Sequence, residues 1–263
     1  MFTVLNISKR KNNVFEKVFG CFIKDEYDVK TVGIYKGAPF YQLNVRVGNR
    51  GVDWQKILDC VGKCSRRMIT NDFDLLPETD DFGLFKSNKL YNKMMQNTFL
   101  EILGANDLNK CPLPICLVDE KATNTDFAER LCDYCSTLAI MTTKKDKYKV
   151  VCEEITENTG LCPIFKNESN GERIIIDLDN NVMEISYENE KMTINNGEDF
   201  TVPEIYNYLK PESINKYDFY SALYELCGVF SLAEGVFETI NMNNEKKSVT
   251  DVHFSCHSWK ILI

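Results

Sequence analysis

The chain has 263 residues, of which 44% are hydrophobic and 27% are charged. That length can bury a substantial core, and that balance excludes broad disorder. With 39 acidic against 31 basic residues the net charge is -8, which repels phosphate backbones and argues against nucleic acid as the main partner.

In chain order, "KTVGIYKG" and "FYQLNVRVG" are β-type runs around Gly37-Ala38-Pro39 and predict an antiparallel hairpin. "VDWQKILDCVGKCSRRM" places Trp54, Ile57, Leu58 and Val61 at helical spacing, with Asp53 as its cap. "FDLLPETDDFGLF" reads as a loop, and "SNKLYNKMMQNTFLEILG" as a helix capped by Ser87 and stopped by Gly104.

From residue 112 the rhythm changes. "PICLVD", "TLAIMTT", "LCPIF" and "RIIIDLD" are short apolar runs, and the helical stretches "TDFAERLCDYCS" and "KDKYKVVCEEITENTG" separate the first three. Thr125 or Asp126 would cap the first of these helices, and Gly160 would end the second. Strand, helix, strand, helix, strand predicts βαβ units and a parallel sheet. Continuously apolar strands predict cover on both faces. The expected fold is therefore α/β, with a three-layer Rossmann-like core at 111–181. An N-terminal α+β region at 1–110 and a C-terminal hairpin and helix region at 182–263 flank it.

Beyond the core, "VMEISYENEKMTINNG" alternates like a hairpin, and "TVPEIYNYLKP" reads as a helix. "YDFYSALYELCGVFSLAEGVFETIN" reads as one long helix or a pair broken near Gly228. Its aromatic content makes Phe230 the residue to watch for a homo-oligomer interface. "SVTDVHFSCHSWKILI" closes the chain as a strand.

No apolar run approaches the length of a membrane span. "MFTVLNISKRKNN" lacks the order of a signal peptide, so no membrane partner and a cytoplasmic setting are expected. The 11 cysteines lie mostly in apolar surroundings, which suits reduced, packed thiols. Cys132 and Cys135 form a Cys-x-x-Cys expected inside a helix, away from the helix start where redox pairs usually sit. His253, Cys256 and His257 are the one His/Cys cluster, but strand alternation would let at most two of them meet one ion.

Ligands of an open parallel sheet bind beyond the carboxyl ends of its strands. That rule selects a candidate rim of Asp119, Glu120, Thr142, Thr143, Lys144, Asp177 and Asp179. The turn "EKATNTD" has no glycine, and no Gly-Lys-Ser or Gly-Lys-Thr occurs. Dinucleotide and P-loop sites therefore have no support.

"IIIDLDNN" resembles the first motif of the haloacid dehalogenase-like phosphatases, an apolar strand followed by Asp-x-Asp. Asn180-Asn181 and an alternating strand follow it here, so a hairpin is the expectation. "ICLVDEKATNT" is a better-placed match to the same family, followed one helix later by "LAIMTT". The resemblance implies Asp119 as nucleophile, Thr142 or Thr143 on phosphate, a nearby lysine neutralising charge, and Asp177 or Asp179 on magnesium. Lys121 replaces the family's second Asp, the usual acid/base. Two functions are thus expected in order. The first is a non-catalytic module that binds a small molecule or a protein and needs no cofactor. The second is a magnesium-dependent phosphatase or phosphoryl-transfer enzyme using Asp119.

Overall fold

A computed structural model describes residues 1–9, 25–48, 51–169, 171–187 and 190–254. In chain order the strands are β1 (Thr3–Lys9), β2 (Glu26–Ile34), β3 (Gly37–Val47) and β4 (Met68–Ile69), with helix α1 (Trp54–Val61) between the last two. Helix α2 (Lys89–Ala105) leads to β5 (Leu113–Val118), α3 (Thr125–Leu131), β6 (Cys135–Met141), α4 (Lys145–Thr159) and β7 (Ile164–Phe165). Then come β8 (Ile174–Asp177), β9 (Val182–Tyr187), β10 (Glu190–Asn195), α5 (Glu204–Asn207), α6 (Lys216–Cys227), β11 (Thr239–Met242) and β12 (Glu245–Ser248). None of the described helices is long and apolar enough to cross a membrane.

The chain is a mixed α/β protein with parallel strands in both of its sheets. It divides into two compact units, one of residues 1–91 and 202–233, the other of residues 92–201 and 234–263. The boundaries expected at 110/111 and 181/182 both fall inside the second unit. The reason is sheet continuity: β9 to β12 extend the same sheet that β5 to β8 begin.

The first unit carries a four-stranded sheet in the order β2-β3-β1-β4. β2 and β3 form the expected hairpin, but the turn is Tyr35-Lys36 and Gly37-Ala38-Pro39 already belongs to β3. Lys36 supplies the positive φ of 54° that so short a link demands. β1 pairs parallel with β3, Thr3 opposite Tyr41, and is buried along its first half. Phe2 stacks on Phe40 at 4.9 Å, and Phe219 of α6 meets both rings edge-on at 6.1 and 5.6 Å. The caps read from sequence hold: Asp53 accepts from the Lys56 amide at 3.2 Å, and Ser87 from the Lys89 amide at 3.2 Å. α1 stops at Val61, short of the expected length, because Gly62 leaves the helical region at φ 53°. α6 ends at Gly228, φ 75°, where a break was expected. The segment read as helix over "TVPEIYNYLKP" shrinks to the single turn of α5.

The second unit holds an eight-stranded sheet in the order β12-β11-β10-β9-β8-β5-β6-β7. β8, β5, β6 and β7 are mutually parallel, and β8 to β12 are joined by antiparallel pairings. The β5-α3-β6 and β6-α4-β7 crossovers advance in one direction, so right-handed connections put α3 and α4 on the same face. The return from β7 to β8 crosses back past β5 and carries no described helix. Ile115, Cys116 and Leu117 in β5, and Leu138, Ala139 and Ile140 in β6, are all buried, as strands covered on both faces should be. Along β8 and β11 burial alternates with partial exposure instead. A helical layer on the second face is therefore not what this crossover supplies.

The strand expected over 248–263 is not formed in its described part: Val249–Asp251 is a 3-10 turn, and 252–254 run on without regular structure. Asn106 holds this tail, donating to the carbonyls of Ile102 and Val252 at 2.8 Å each. Gly197, after β10, is packed so closely that an added Cβ would lie 2.2 Å from the Phe237 ring. Gly197→Ala should destabilise the protein by about 2 kcal/mol through this overlap, read as a lowered urea midpoint at unchanged m-value.

Candidate functional site

The tips of β5, β6 and β8 do converge. The Asp119 amide donates to the Met141 carbonyl at 3.0 Å, and the Leu178 amide to the Val118 carbonyl at 2.9 Å, so each ladder runs on past its strands. The Glu120 carbonyl accepts from the Thr143 amide at 3.2 Å and from the Thr143 and Thr142 hydroxyls at 2.7 and 3.3 Å. From the other side, the Glu120 amide donates to Asp179 Oδ2 at 2.7 Å. One residue, Glu120, is thereby clamped between the ends of β6 and β8. Asp119, Glu120, Thr142, Thr143, Asp177 and Asp179 lie on this shared border as the strand order requires. Lys144 follows directly, its amide donating to the Thr142 hydroxyl at 3.1 Å.

Their chemistry differs from the sequence expectation. Asp119 is fully buried, at 0% exposure. Its Oδ1 accepts from the Thr123 amide at 3.1 Å, and its Oδ2 from the Asn124 amide at 2.9 Å and the Tyr148 hydroxyl at 2.9 Å. A carboxylate so enclosed has no free face for a phosphorus centre, so Asp119 is not placed as a nucleophile. It does the work expected of Thr125 or Asp126. From six residues upstream of α3 it fixes the loop that enters the helix, whose first residue is Thr125 and whose own cap, Asn124, makes no side-chain bond to the helix amides. A negative group beside a helix start is also favoured by the helix dipole. The loop turns without glycine because Ala122, buried, takes a φ of 51°.

Asp177 is similarly engaged. Its two oxygens accept from the amide and side-chain nitrogen of Asn180 at 3.0 and 2.8 Å, closing the turn from β8 to β9. Asn181 completes that turn at φ 55°. The stretch resembling a phosphatase motif is thus the hairpin its asparagines foretold, with Asp177 opposite Val182. With Asp119 enclosed, Asp177 tied to Asn180 and Asp179 on the Glu120 amide, this set does not fit a magnesium ion. Among the described residues no group of three or more His, Cys, Asp or Glu side chains is arranged to hold any metal. His253 is exposed, while Cys256 and His257 lie outside the described residues.

Exposed groups on the same border are Thr143 and the lysines Lys144, Lys145 and Lys147 at the start of α4, with Lys121 opposite, interspersed with the exposed carboxylates Glu120, Asp146 and Asp179. Lys147 Nζ reaches the Lys121 carbonyl at 3.2 Å. The α4 cap, Lys144, makes no side-chain bond to the helix, so the first amides of α4 have no side-chain acceptor at the cap. Asp146 lies in the same turn but is held by Lys149 at 2.6 Å, which keeps its carboxyl below the usual range.

Tyr148 is the residue sequence reading missed. It is fully buried, and burial together with the Asp119 carboxylate drives its hydroxyl pKa far above the ordinary value, so it stays a donor. The only trace in the sequence is an aromatic on the inner face of α4. Asp119→Ala should cost about 3 kcal/mol, because it strips a buried charged acceptor from its hydrogen-bond donors, and Tyr148→Phe about 1 kcal/mol. In a double-mutant cycle followed by chemical denaturation, the two losses should sum to more than the double variant shows.

No protein-family model matches the chain, and neither does any curated protein sequence. Among solved structures, the L-tryptophan dehydrogenase from Nostoc punctiforme is similar over 67% of this chain and 56% of its own, at 9% identity and a TM-score of 0.25. The matched part is thus little more than half of that dehydrogenase.

Proposed function

We propose that the second unit is a Rossmann-like module that binds a small anionic ligand at the end of its parallel strands, without catalysing a reaction on it. The observation that carries this reading is the set of exposed lysines at the border. Asp119 is buried and Asp177 is held by Asn180, while Lys121, Lys144, Lys145, Lys147 and Thr143 face solvent beside the start of α4, the four lysines against the three exposed carboxylates of Glu120, Asp146 and Asp179. Helix-terminal amides and lysines together favour phosphate or carboxylate. With an overall charge of -8, a local cluster of this sign is a place where anions are drawn against the field of the rest of the surface.

Pyrophosphate titrated into the protein should raise its melting temperature and shift the amide resonances of residues 143–147. Lys144→Glu with Lys145→Glu should abolish both effects. Unchanged spectra at millimolar pyrophosphate would remove the proposal. A phosphatase screen with magnesium addresses the enzymatic reading: turnover lost in a folded Asp119→Asn variant would replace binding with catalysis.

A protein-partner role rests on a separate observation in the first unit. Phe230 and Tyr208 are 72% and 75% exposed, which is unusual for large aromatics. If Phe230 seats a second copy of the chain, light scattering should give a dimer mass for the wild type and a monomer mass for Phe230→Glu. A monomeric wild type excludes self-association.

A further inference from the structure

Cys132 and Cys135 are not inside a helix, as their spacing suggested. α3 ends at Leu131, Cys132 is its C-terminal cap, and Cys135 is the first residue of β6. Between them the chain reverses through Asp133 and Tyr134. The backbone of that turn is pinned three times. The Cys132 amide donates to the Glu129 carbonyl at 3.1 Å, the Tyr134 amide to the Leu131 carbonyl at 2.9 Å, and the Leu113 amide to the Tyr134 carbonyl at 3.3 Å. Reversal places the two cysteines on one turn, near enough for each thiol to shift the other's pKa. Their environments differ. Cys135 is 5% exposed, whereas Cys132 is half-buried with its sulfur 3.3 Å from the Ala128 carbonyl.

From this juxtaposition we propose that Cys132 and Cys135 are a two-electron redox pair, with Cys132 the attacking thiol and Cys135 the resolving one, closed to a disulfide by hydroperoxides. The roles follow from access: an oxidant reaches the half-buried sulfur, and the buried one waits behind it. Acidity agrees with them, since the neighbouring Cys135 thiol holds the Cys132 thiol below its ordinary pKa, while Cys132 and then burial push Cys135 up. In the first step the Cys132 thiolate forms a sulfur–oxygen bond as the peroxide O–O bond breaks. The released alkoxide or hydroxide is protonated, leaving a sulfenic acid. In the second, the Cys135 sulfur forms the S–S bond, and the sulfenic hydroxyl leaves as water with the Cys135 proton. Two thiols and one hydroperoxide give one disulfide, one alcohol or water, and one water.

The pair is separate from the strand-end border, because it lies at the opposite end of β6 from Thr142. A third thiol, Cys152 of α4, is near enough for the Cys132 charge to raise its pKa, and it is the natural competitor.

The test treats the reduced full-length protein with one equivalent of hydrogen peroxide, alkylates the remaining thiols, and maps them by peptide mass spectrometry. Expected is a 132–135 disulfide that dithiothreitol reverses. Cys135→Ser should instead accumulate a dimedone-reactive sulfenic acid at Cys132. Cys132→Ser should slow peroxide consumption by about tenfold or more, because Cys132 is the more accessible thiol of the pair. A Cys132–Cys152 link, two alkylatable thiols at 132 and 135 after oxidation, or undiminished peroxide consumption in a folded Cys132→Ser variant would each overturn the proposal. Circular dichroism of the serine variants, which differ by one atom per site, separates loss of chemistry from loss of fold.

Discussion

The organising interaction of the second unit is the buried carboxylate of Asp119. An ionised group inside a protein is tolerated only where donors replace its water. Here the donors come from two backbone amides of the loop entering α3 and from the Tyr148 hydroxyl on α4. The group sits at the end of the central strand β5, so satisfying it fixes the loop, the approach of α3 and the seating of α4 together. Removing the charge loosens all three at once, because each of these bonds ends on the same carboxylate.

The same economy explains the character of the border. Acids placed at strand ends read from the sequence as a metal or catalytic set. In the fold they close turns: Asp177 closes the β8-β9 hairpin, and Asp179 clamps Glu120. What faces water there is a group of lysines and Thr143 with the carboxylates of Glu120, Asp146 and Asp179 among them, because Asp119 is turned inward and Asp177 is held by Asn180. Short side chains such as aspartate reach local amides easily, whereas lysines extend into solvent.

Much of the fold was legible in the sequence for local reasons. Apolar runs of strand length, helical spacing at Ile57 and Val61, caps at Asp53 and Ser87, and stops at Gly160 and Gly228 all depend on neighbours within a few residues. The Asn180-Asn181 hairpin belongs to the same class. The failures were equally physical. The Cys132–Cys135 stretch kept helical composition past Leu131, but pairing of β6 with β5 claimed Cys135 for a strand. Helical spacing in "TVPEIYNYLKP" gave one turn, too short a segment to hold a longer helix between its two prolines.

The sequence by itself determined that this is an α/β protein with parallel strands, where most elements begin and end, and which residues reach the strand ends. Those properties follow from periodicity, turn chemistry and the handedness of crossovers. Tertiary structure alone decided that β9 to β12 join the parallel strands in one sheet and that Tyr148 closes over Asp119. Each of those depends on which donor or strand edge arrives from a distant part of the chain, and no local pattern encodes that arrival.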